Sequence, residues 1–259
     1  MSKIRVAING FGRIGRAALK IALKKPNLEV VAINNLMDTQ TLAHLLKYDS
    51  VYRQFDLPVD YDEKNIIVNK KKIPIVAEKD PSALPWKQYK VDVVLECTGR
   101  FTKDGAAKAH IQAGARRVIV SAPTAGSGGI ETFLLGVNEK KYQGQQVISN
   151  ASCTTNCVSP VAAVLHERFG IVKGMMTTVH AYTAEQNLVD GPPPALKKDL
   201  RRARAAGINI IPTTSGVAEA MKAVLPDLAG RFDGLALRVP VATGSISDFT
   251  VLLKKKTTV

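Results

Sequence analysis

The spacing of hydrophobic and polar positions along this chain changes period repeatedly, and each change marks an element. Residues 4–8 (Ile-Arg-Val-Ala-Ile) read as a short buried strand. A helical spacing through Ala17, Ala18, Ile21 and Ala22 follows and closes near Asn27, before a second strand over 29–33. Residues 91–96 and 118–120 are further strand-like runs, separated by a helix expected over 103–113 that stops at Gly114. Residues 125–129 read as a loop and 147–148 as a strand. A longer helical pattern then carries Val161, Val164, Leu165 and Phe169, and a strand-like segment covers 175–183. Strands alternating with helices predict an open parallel sheet, whose ligands gather at the carboxyl ends of its strands.

The turn between the first strand and helix is Asn9-Gly-Phe-Gly-Arg-Ile-Gly15. In a strand–turn–helix context this spacing is the fingerprint of a dinucleotide site. Gly10 suits the tight turn, Gly12 lets backbone approach a pyrophosphate, and Gly15 lets the helix pack closely on the sheet. The free amides at the helix start favour an anion. An acidic residue for the adenosine ribose is expected about 20 residues on. That place reads Asn34-Asn35, and the nearest carboxylate is Asp38. An asparagine does not repel a 2′-phosphate as a carboxylate does. Two readings stand: acceptance of NADP beside NAD, or an NAD site in which Asn35 or Asp38 serves the ribose.

Candidate chemistry concentrates in Ser149-Asn-Ala-Ser-Cys-Thr-Thr-Asn-Cys157. Cys153 falls after a strand and at the start of a helix, where unpaired amides stabilise a thiolate. Ser152, Thr154 and Thr155 add hydroxyls suited to an anionic or carbonyl ligand. Cys157 and Cys97 read as small buried side chains. Of the four histidines, His44 and His110 fall on expected helices with no nucleophile near in sequence. His166 lies more than three turns along the helix after Cys153. His180, in the strand-like segment, is the candidate general base. The residues form no metal-ligand cluster.

Composition narrows this picture. At 259 residues with 46% hydrophobic and 22% charged, the chain fits one large or two ordinary globular domains. The absence of a signal-peptide core and of an apolar run of ~20 residues makes a soluble, cytoplasmic protein the expectation. Three cysteines argue against a disulfide framework. Lys plus Arg is 36 against 22 acidic residues, a net charge of +14. It is scattered through short runs at 24–25, 70–72, 197–198, 201–204 and 254–256, which read as basic surface. RNA binding is a second class of function, but no RNA-binding signature is present and only 5% of residues are aromatic.

Taken together, Asn9-Gly-Phe-Gly-Arg-Ile-Gly-Arg16, Lys47-Tyr-Asp-Ser50, Cys97-Thr-Gly-Arg-Phe-Thr102 and Ser149–Cys157 resemble phosphorylating glyceraldehyde-3-phosphate dehydrogenase. Residues 175–183, 199–206 and 210–216 extend the resemblance along the whole chain. It implies a Rossmann-like dinucleotide-binding domain over 1–151. An α+β catalytic domain with a mixed or antiparallel sheet would follow over 152–259. It further implies NAD(P)-dependent oxidative phosphorylation of glyceraldehyde 3-phosphate, a step of glycolysis and gluconeogenesis, in a cytoplasmic homotetramer. Cys153 would be the nucleophile and His180 its base.

By position, Gly10, Phe11, Gly12, Arg13, Ile14, Gly15, Asn35, Lys79 and Ser121 resemble the cofactor site. Thr183 and Arg238 resemble the site for the substrate's own phosphate. Ser152, Thr154, Arg202, Ser215 and Gly216 resemble that for inorganic phosphate, with Arg204 an alternative to Arg202. Erythrose-4-phosphate dehydrogenase shares the nucleophile motif and is the nearer alternative. Two departures stand out. The loop at 190–198 is longer than the family's usual one. The family's chain also continues past Leu253 through further strands, a C-terminal helix and an asparagine that contacts the nicotinamide. The expectation is therefore an incomplete catalytic domain, with an inactive, nucleic-acid-binding fragment as the remaining alternative.

Overall fold

The computed structural model describes residues 2–192 and 199–258, so part of the long loop, with the lysines at 197–198, lies outside the described residues. Two compact units divide the chain: Met1–Phe133 with Lys141–Ala151, and Leu134–Lys140 with Ser152–Val259.

The first unit opens with β1 (Ile4–Asn9), α1 (Arg13–Ala22) and β2 (Leu28–Asn34). Next comes α2 (Thr39–Lys47), capped by Asp38, whose carboxylate accepts from the Thr41 N–H at 2.8 Å. β3 (Tyr48–Asp49) and β4 (Arg53–Gln54) pair as a small hairpin. β5 (Val59–Tyr61), β6 (Asn65–Val68) and β7 (Lys71–Val76) follow, then β8 (Val93–Glu96), α3 (Ala109–Gln112) and β9 (Arg117–Val120). β10 (Glu131–Thr132) and β11 (Val147–Ser149) complete the unit.

Among the described residues these strands build one sheet in the order β10-β11-β9-β8-β1-β2-β7-β6-β5. It is parallel from β10 to β7 and antiparallel beyond. Its central strands are buried on both faces. Ala7, Ala32 and Val94 pack with Trp86 and Val118 on one side, while Ile8 and Ile33 pack with Leu19 and Leu42 on the other. The pleat sends neighbouring residues to opposite faces, so such strands read as continuous apolar runs.

Two expectations about helices need correction. α1 exists, but it buries Gly15, Leu19 and Ala22, while Ala17 and Ile21 face solvent. The helix meets the sheet where Gly15 has no side chain, and that contact sets which side turns inward. The helix expected over 103–113 shrinks to a tight turn at Ala106–Lys108 and the four residues of α3. Positive φ at Asp104 and Gly105, and a bridge from Lys103 to Ala125, hold its first residues out of helical geometry. Gly114 does end it, at φ 100°.

The second unit holds α4 (Cys153–Phe169), β12 (Ile171–Ala181), β13 (Ile211–Thr214), α5 (Val217–Val224), β14 (Phe232–Val239) and β15 (Ser245–Leu253). The four strands form a mixed sheet in the order β13-β14-β12-β15, with β12 and β14 parallel and the other pairs antiparallel. The α/β fold with a parallel sheet followed by a mixed one is therefore as expected. Val158 and Ala162 of α4 and Val217 and Met221 of α5 cover one face, against Met176 and Phe232.

Here too the buried helix face differs from expectation. α4 turns Thr155, Val158, Ser159 and Ala162 inward, leaving Val161 and Val164 half exposed. Cys157 shares that outer side and is exposed, not the buried side chain expected from its size. The opposite face of the sheet carries exposed Met175, Val179, Leu235, Ile246 and Leu252. Their strand registers place all five on one side.

Candidate active site

The glycine turn of the first unit has the geometry its spacing requires. Gly10 takes φ 90°, and a β-carbon there would lie 2.8 Å from the Thr98 backbone nitrogen. At Gly15 a β-carbon would come within 2.1 Å of the Gly10 carbonyl oxygen. At Gly12 it would meet nothing within 4 Å. Gly12 is also the N-cap of α1 and offers no side-chain acceptor, so the first amides of the helix stay free for a ligand.

A cavity of about 520 Å³ opens beside this turn, lined by Gly10, Gly12, Asn35 and Lys79 among the expected residues. Asn9, Asn34, Leu36, Glu78, Cys97, Thr98, Arg100 and Phe101 complete the wall. Such a volume suits a nucleotide-sized ligand. The remaining expected residues lie elsewhere. Phe11 is buried in the core, and Ile14 faces solvent. Arg13 pairs with Asp49 and stands over the Tyr52 ring. Ser121 donates to the Glu96 carbonyl at 3.0 Å.

Asn34 is fully engaged, donating to Asn9 Oδ1 at 2.7 Å and the Glu78 carbonyl at 2.9 Å while accepting from the Glu78 N–H. Asp38 gives both carboxylate oxygens to Thr41. Asn35, just after β2, also lines the cavity, with its Oδ1 accepting from the Met37 N–H at 3.1 Å.

In the second unit, Ser152 caps α4 by accepting from the Thr155 N–H at 3.1 Å, which places Cys153 at the first helical position. The preceding Ala151 takes a left-handed φ of 57°, turning the chain into the helix. Cys153 is exposed, and its Sγ lies 3.4 Å from His180 Nε2. His180 Nδ1 is 2.7 Å from the Ala181 carbonyl. A ring hydrogen on Nδ1, donated to that carbonyl, leaves the Nε2 lone pair toward the thiol, whereas donation to Nδ1 from Arg238 places the hydrogen on Nε2. Arg238 Nη1 donates to the same carbonyl at 3.1 Å and lies 2.9 Å from Nδ1.

Behind this pair sits a cationic cluster. Arg202 is only 3% exposed and pairs with Glu185, whose carboxylate is 4.0 Å from Arg238 Nη2. Burial, and next the charge of Arg202, push the Arg238 guanidinium below its ordinary range. Two guanidinium groups thus share one carboxylate. The Nε atoms of Arg202 and Arg238 and the Thr183 hydroxyl are buried without a hydrogen-bond partner. Orphaned donors beside an exposed thiol suit an anionic ligand.

Arg204, the alternative to Arg202, instead makes an exposed pair with Asp190. Ser215 and Gly216 open α5, with Ser215 Oγ accepting from the Val217 N–H at 3.3 Å, and Thr154 lies in the first turn of α4. Sequence reasoning missed Glu185. No local pattern marks it, because its role arises only where distant segments meet.

A glycine-turn cavity on a parallel sheet suits a nicotinamide dinucleotide, and a cysteine–histidine pair backed by arginine suits a nucleophilic thiol; the class this points to is the dinucleotide-binding oxidoreductases. Residues 4–104 match the family described as glyceraldehyde 3-phosphate dehydrogenase, NAD binding domain, and residues 152–259 match its C-terminal domain. The glyceraldehyde-3-phosphate dehydrogenase of Clostridium acetobutylicum is 53% identical over 256 residues, covering 98% of this chain and 75% of that protein. That of Geobacillus stearothermophilus is 53% identical over 258 residues, covering 99% and 75%. That of Mycolicibacterium smegmatis is 51% identical, covering 99% and 76%.

The chain belongs to the glyceraldehyde-3-phosphate dehydrogenase family, and it spans about three quarters of the length of these relatives. Among the described residues, no helix is long and apolar enough to cross a membrane, and no group of three or more His, Cys, Asp or Glu is placed to hold a metal ion.

Proposed function

We propose that this protein catalyses the NAD(P)-dependent oxidative phosphorylation of D-glyceraldehyde 3-phosphate to 1,3-bisphosphoglycerate. The observation that carries the reading is Cys153 Sγ lying 3.4 Å from His180 Nε2 at the first turn of a helix. His180 Nε2 takes the thiol proton, and the thiolate sulfur bonds to the aldehyde carbon. His180 returns the proton to the resulting alkoxide, which completes a thiohemiacetal. It takes that proton back as the carbonyl re-forms and a hydride leaves the carbon, giving a thioester. When bound, the nicotinamide dinucleotide supplies the hydride acceptor. An oxygen of inorganic phosphate then attacks the acyl carbon, the C–S bond breaks, and the Cys153 thiolate is regenerated with the acyl phosphate. Splitting the conversion through a covalent intermediate replaces one hard step by two easier ones.

The unpartnered donors on Thr183, Arg202 and Arg238 support anion binding at this thiol. In our assignment Thr183 and Arg238 take the substrate's own phosphate. Ser152, Thr154, Arg202, Ser215 and Gly216 take the inorganic one. Arg202 is preferred to Arg204 because its guanidinium is buried against Glu185, beside Arg238. For the cofactor, Gly10, Gly12, Gly15, Asn35 and Lys79 form or support the cavity. Asn35 in place of an acid does not itself repel a 2′-phosphate, and Lys79 balances Glu78 on the same wall, which supports acceptance of NADP beside NAD. The apolar outer face of the second sheet supports assembly with further copies of the chain; the assembly we propose is a homotetramer, and the location the cytoplasm.

The test is reduced-cofactor formation by the purified chain with glyceraldehyde 3-phosphate and phosphate, repeated with erythrose 4-phosphate and with NADP. Turnover that needs phosphate, favours the triose and vanishes in Cys153→Ala is expected. Activity that survives Cys153→Ala would sink the mechanism. Tight, salt-sensitive RNA binding without dehydrogenase activity would favour the nucleic-acid reading instead.

A further inference from the structure

A fully buried polar cluster lies behind the cavity of the first unit. Glu96, at the end of β8, is 0% exposed, as are His110 and Trp86. Four donors converge on its carboxylate. His110 Nε2 and Asn9 Nδ2 reach Oε2 at 2.9 and 2.5 Å, while the Thr98 N–H and hydroxyl reach Oε1 at 2.8 and 2.5 Å. The direction of the histidine bond is fixed from its far side. Trp86 Nε1, which can only donate, lies 3.0 Å from His110 Nδ1. Nδ1 therefore accepts, and the ring hydrogen sits on Nε2, facing Glu96. The chain of donors runs one way, from Trp86 through His110 to a carboxylate that accepts from every neighbour.

The groups held by this carboxylate form the cavity wall. Asn9 and Thr98 line it, whereas Glu96, His110 and Trp86 do not. Asn9 passes the constraint on by accepting from Asn34, and Asn34 in turn accepts from the Glu78 N–H. The ends of β1, β2 and β8 are tied together in this way. Thr98 is also the residue against which the Gly10 turn packs, since a β-carbon on Gly10 would come within 2.8 Å of it.

We propose that Glu96 is a positioning residue for dinucleotide binding, holding Asn9, Thr98 and through them the glycine turn in the geometry that receives the cofactor. Buried networks of this kind fix one arrangement of their members when every group is satisfied, and binding sites keep their shape through such supporting hydrogen bonds. The inference rests on the reading of the cavity as the dinucleotide site.

The test is calorimetric titration of the 259-residue chain with NAD, comparing wild type, Glu96→Gln and Trp86→Phe, each with a thermal melt. Glu96→Gln keeps the shape but turns one acceptor oxygen into a donor, and it should weaken NAD about tenfold. The KM for NAD should rise by the same factor while kcat stays within about twofold, since the variant acts on cofactor binding alone. Trp86→Phe, at the far end of the relay, preserves an aromatic core residue and should weaken NAD about threefold, even if the first variant fails to fold. Variants that melt lower yet bind NAD as wild type does would make the cluster purely structural and overturn the proposal. Failure of the wild-type chain itself to bind NAD would overturn the functional reading along with it.

Discussion

The glycine turn allows a sharp separation of folding from binding, because two of its glycines meet opposite surroundings. A β-carbon at Gly15 would sit 2.1 Å from the Gly10 carbonyl oxygen and 3.1 Å from the Ile8 Cγ2, where ordinary contact begins at 3.4 Å. Relief requires α1 to move off β1 by about 1 Å, and overpacking of this kind costs about 1–3 kcal/mol. Since the obstacle is backbone, the upper end applies. Replacing a helical glycine by alanine returns about 1 kcal/mol. Gly15→Ala should therefore lose about 2 kcal/mol of stability, or a melting temperature lower by about 4–8 °C for a unit of this size.

Gly12→Ala meets open space and has an ordinary φ of −76°. Its stability cost is confined to exchanging an N-cap glycine for alanine, under about 1 kcal/mol. The added methyl group instead occupies the surface that a pyrophosphate must approach, and NAD affinity should fall by about tenfold or more. Denaturant titration and calorimetric NAD titration of the two variants make the comparison. Wild-type NAD affinity in Gly12→Ala, or wild-type stability in Gly15→Ala, would refute the division of roles.

Three further outcomes follow from the same geometry. Burial pushes the Cys97 thiol up to about 11, so iodoacetamide near pH 8 should label Cys153 and Cys157 and spare Cys97, as peptide mass mapping would show. Arg202→Leu removes the nearer of the two guanidinium partners of the partly buried Glu185 and should cost about 1.5–3 kcal/mol by denaturant titration, whereas Arg204→Leu removes an exposed pair worth under about 1 kcal/mol; equal costs would contradict the assignment of Arg202 to the buried cluster. Burial raises Asp49, but the N–H groups of Tyr52 and Val51 and the Arg13 guanidinium outweigh it and hold the carboxyl at about 2, below its ordinary 3.8. The stability it contributes is present above about pH 4 and is lost as pH falls toward 2, so melting temperature should decline less steeply over that window in Asp49→Asn.

How much of this was legible in the sequence depended on whether a residue's task is local or assembled. The three glycines could be read because each answers a constraint set within a few residues: a turn, an approach, a helix contact. Cys153 could be read for the same reason, since a cap and a first helical turn are sequence-local. His180 followed by elimination among four histidines and by its place on a strand. The helix faces were misread where a small residue, not a large one, makes the contact. Gly15 decided the buried side of α1, and Thr155, Ser159 and Ala162 share that decision in α4. Counting apolar residues puts Ala17 and Ile21 of α1 and Val161 and Val164 of α4 inside, where they are exposed, although Ala22 and Leu165 do turn inward as expected.

Glu185 and Glu96 are legible in neither period nor motif. Glu185 acquires its role only where the turn after β12 approaches Arg202 and Arg238 on other segments. Glu96 does so only because the parallel register sets Asn9 beside it. A slip of one residue between β1 and β8 would turn Asn9 or Glu96 to the other face of the sheet and leave a buried carboxylate without its donors. The cluster therefore constrains the register as firmly as the apolar pattern does, because an unpaired buried charge costs far more than a misplaced aliphatic side chain. Part of the specification of this fold thus resides in the polar residues that also shape its binding cavity.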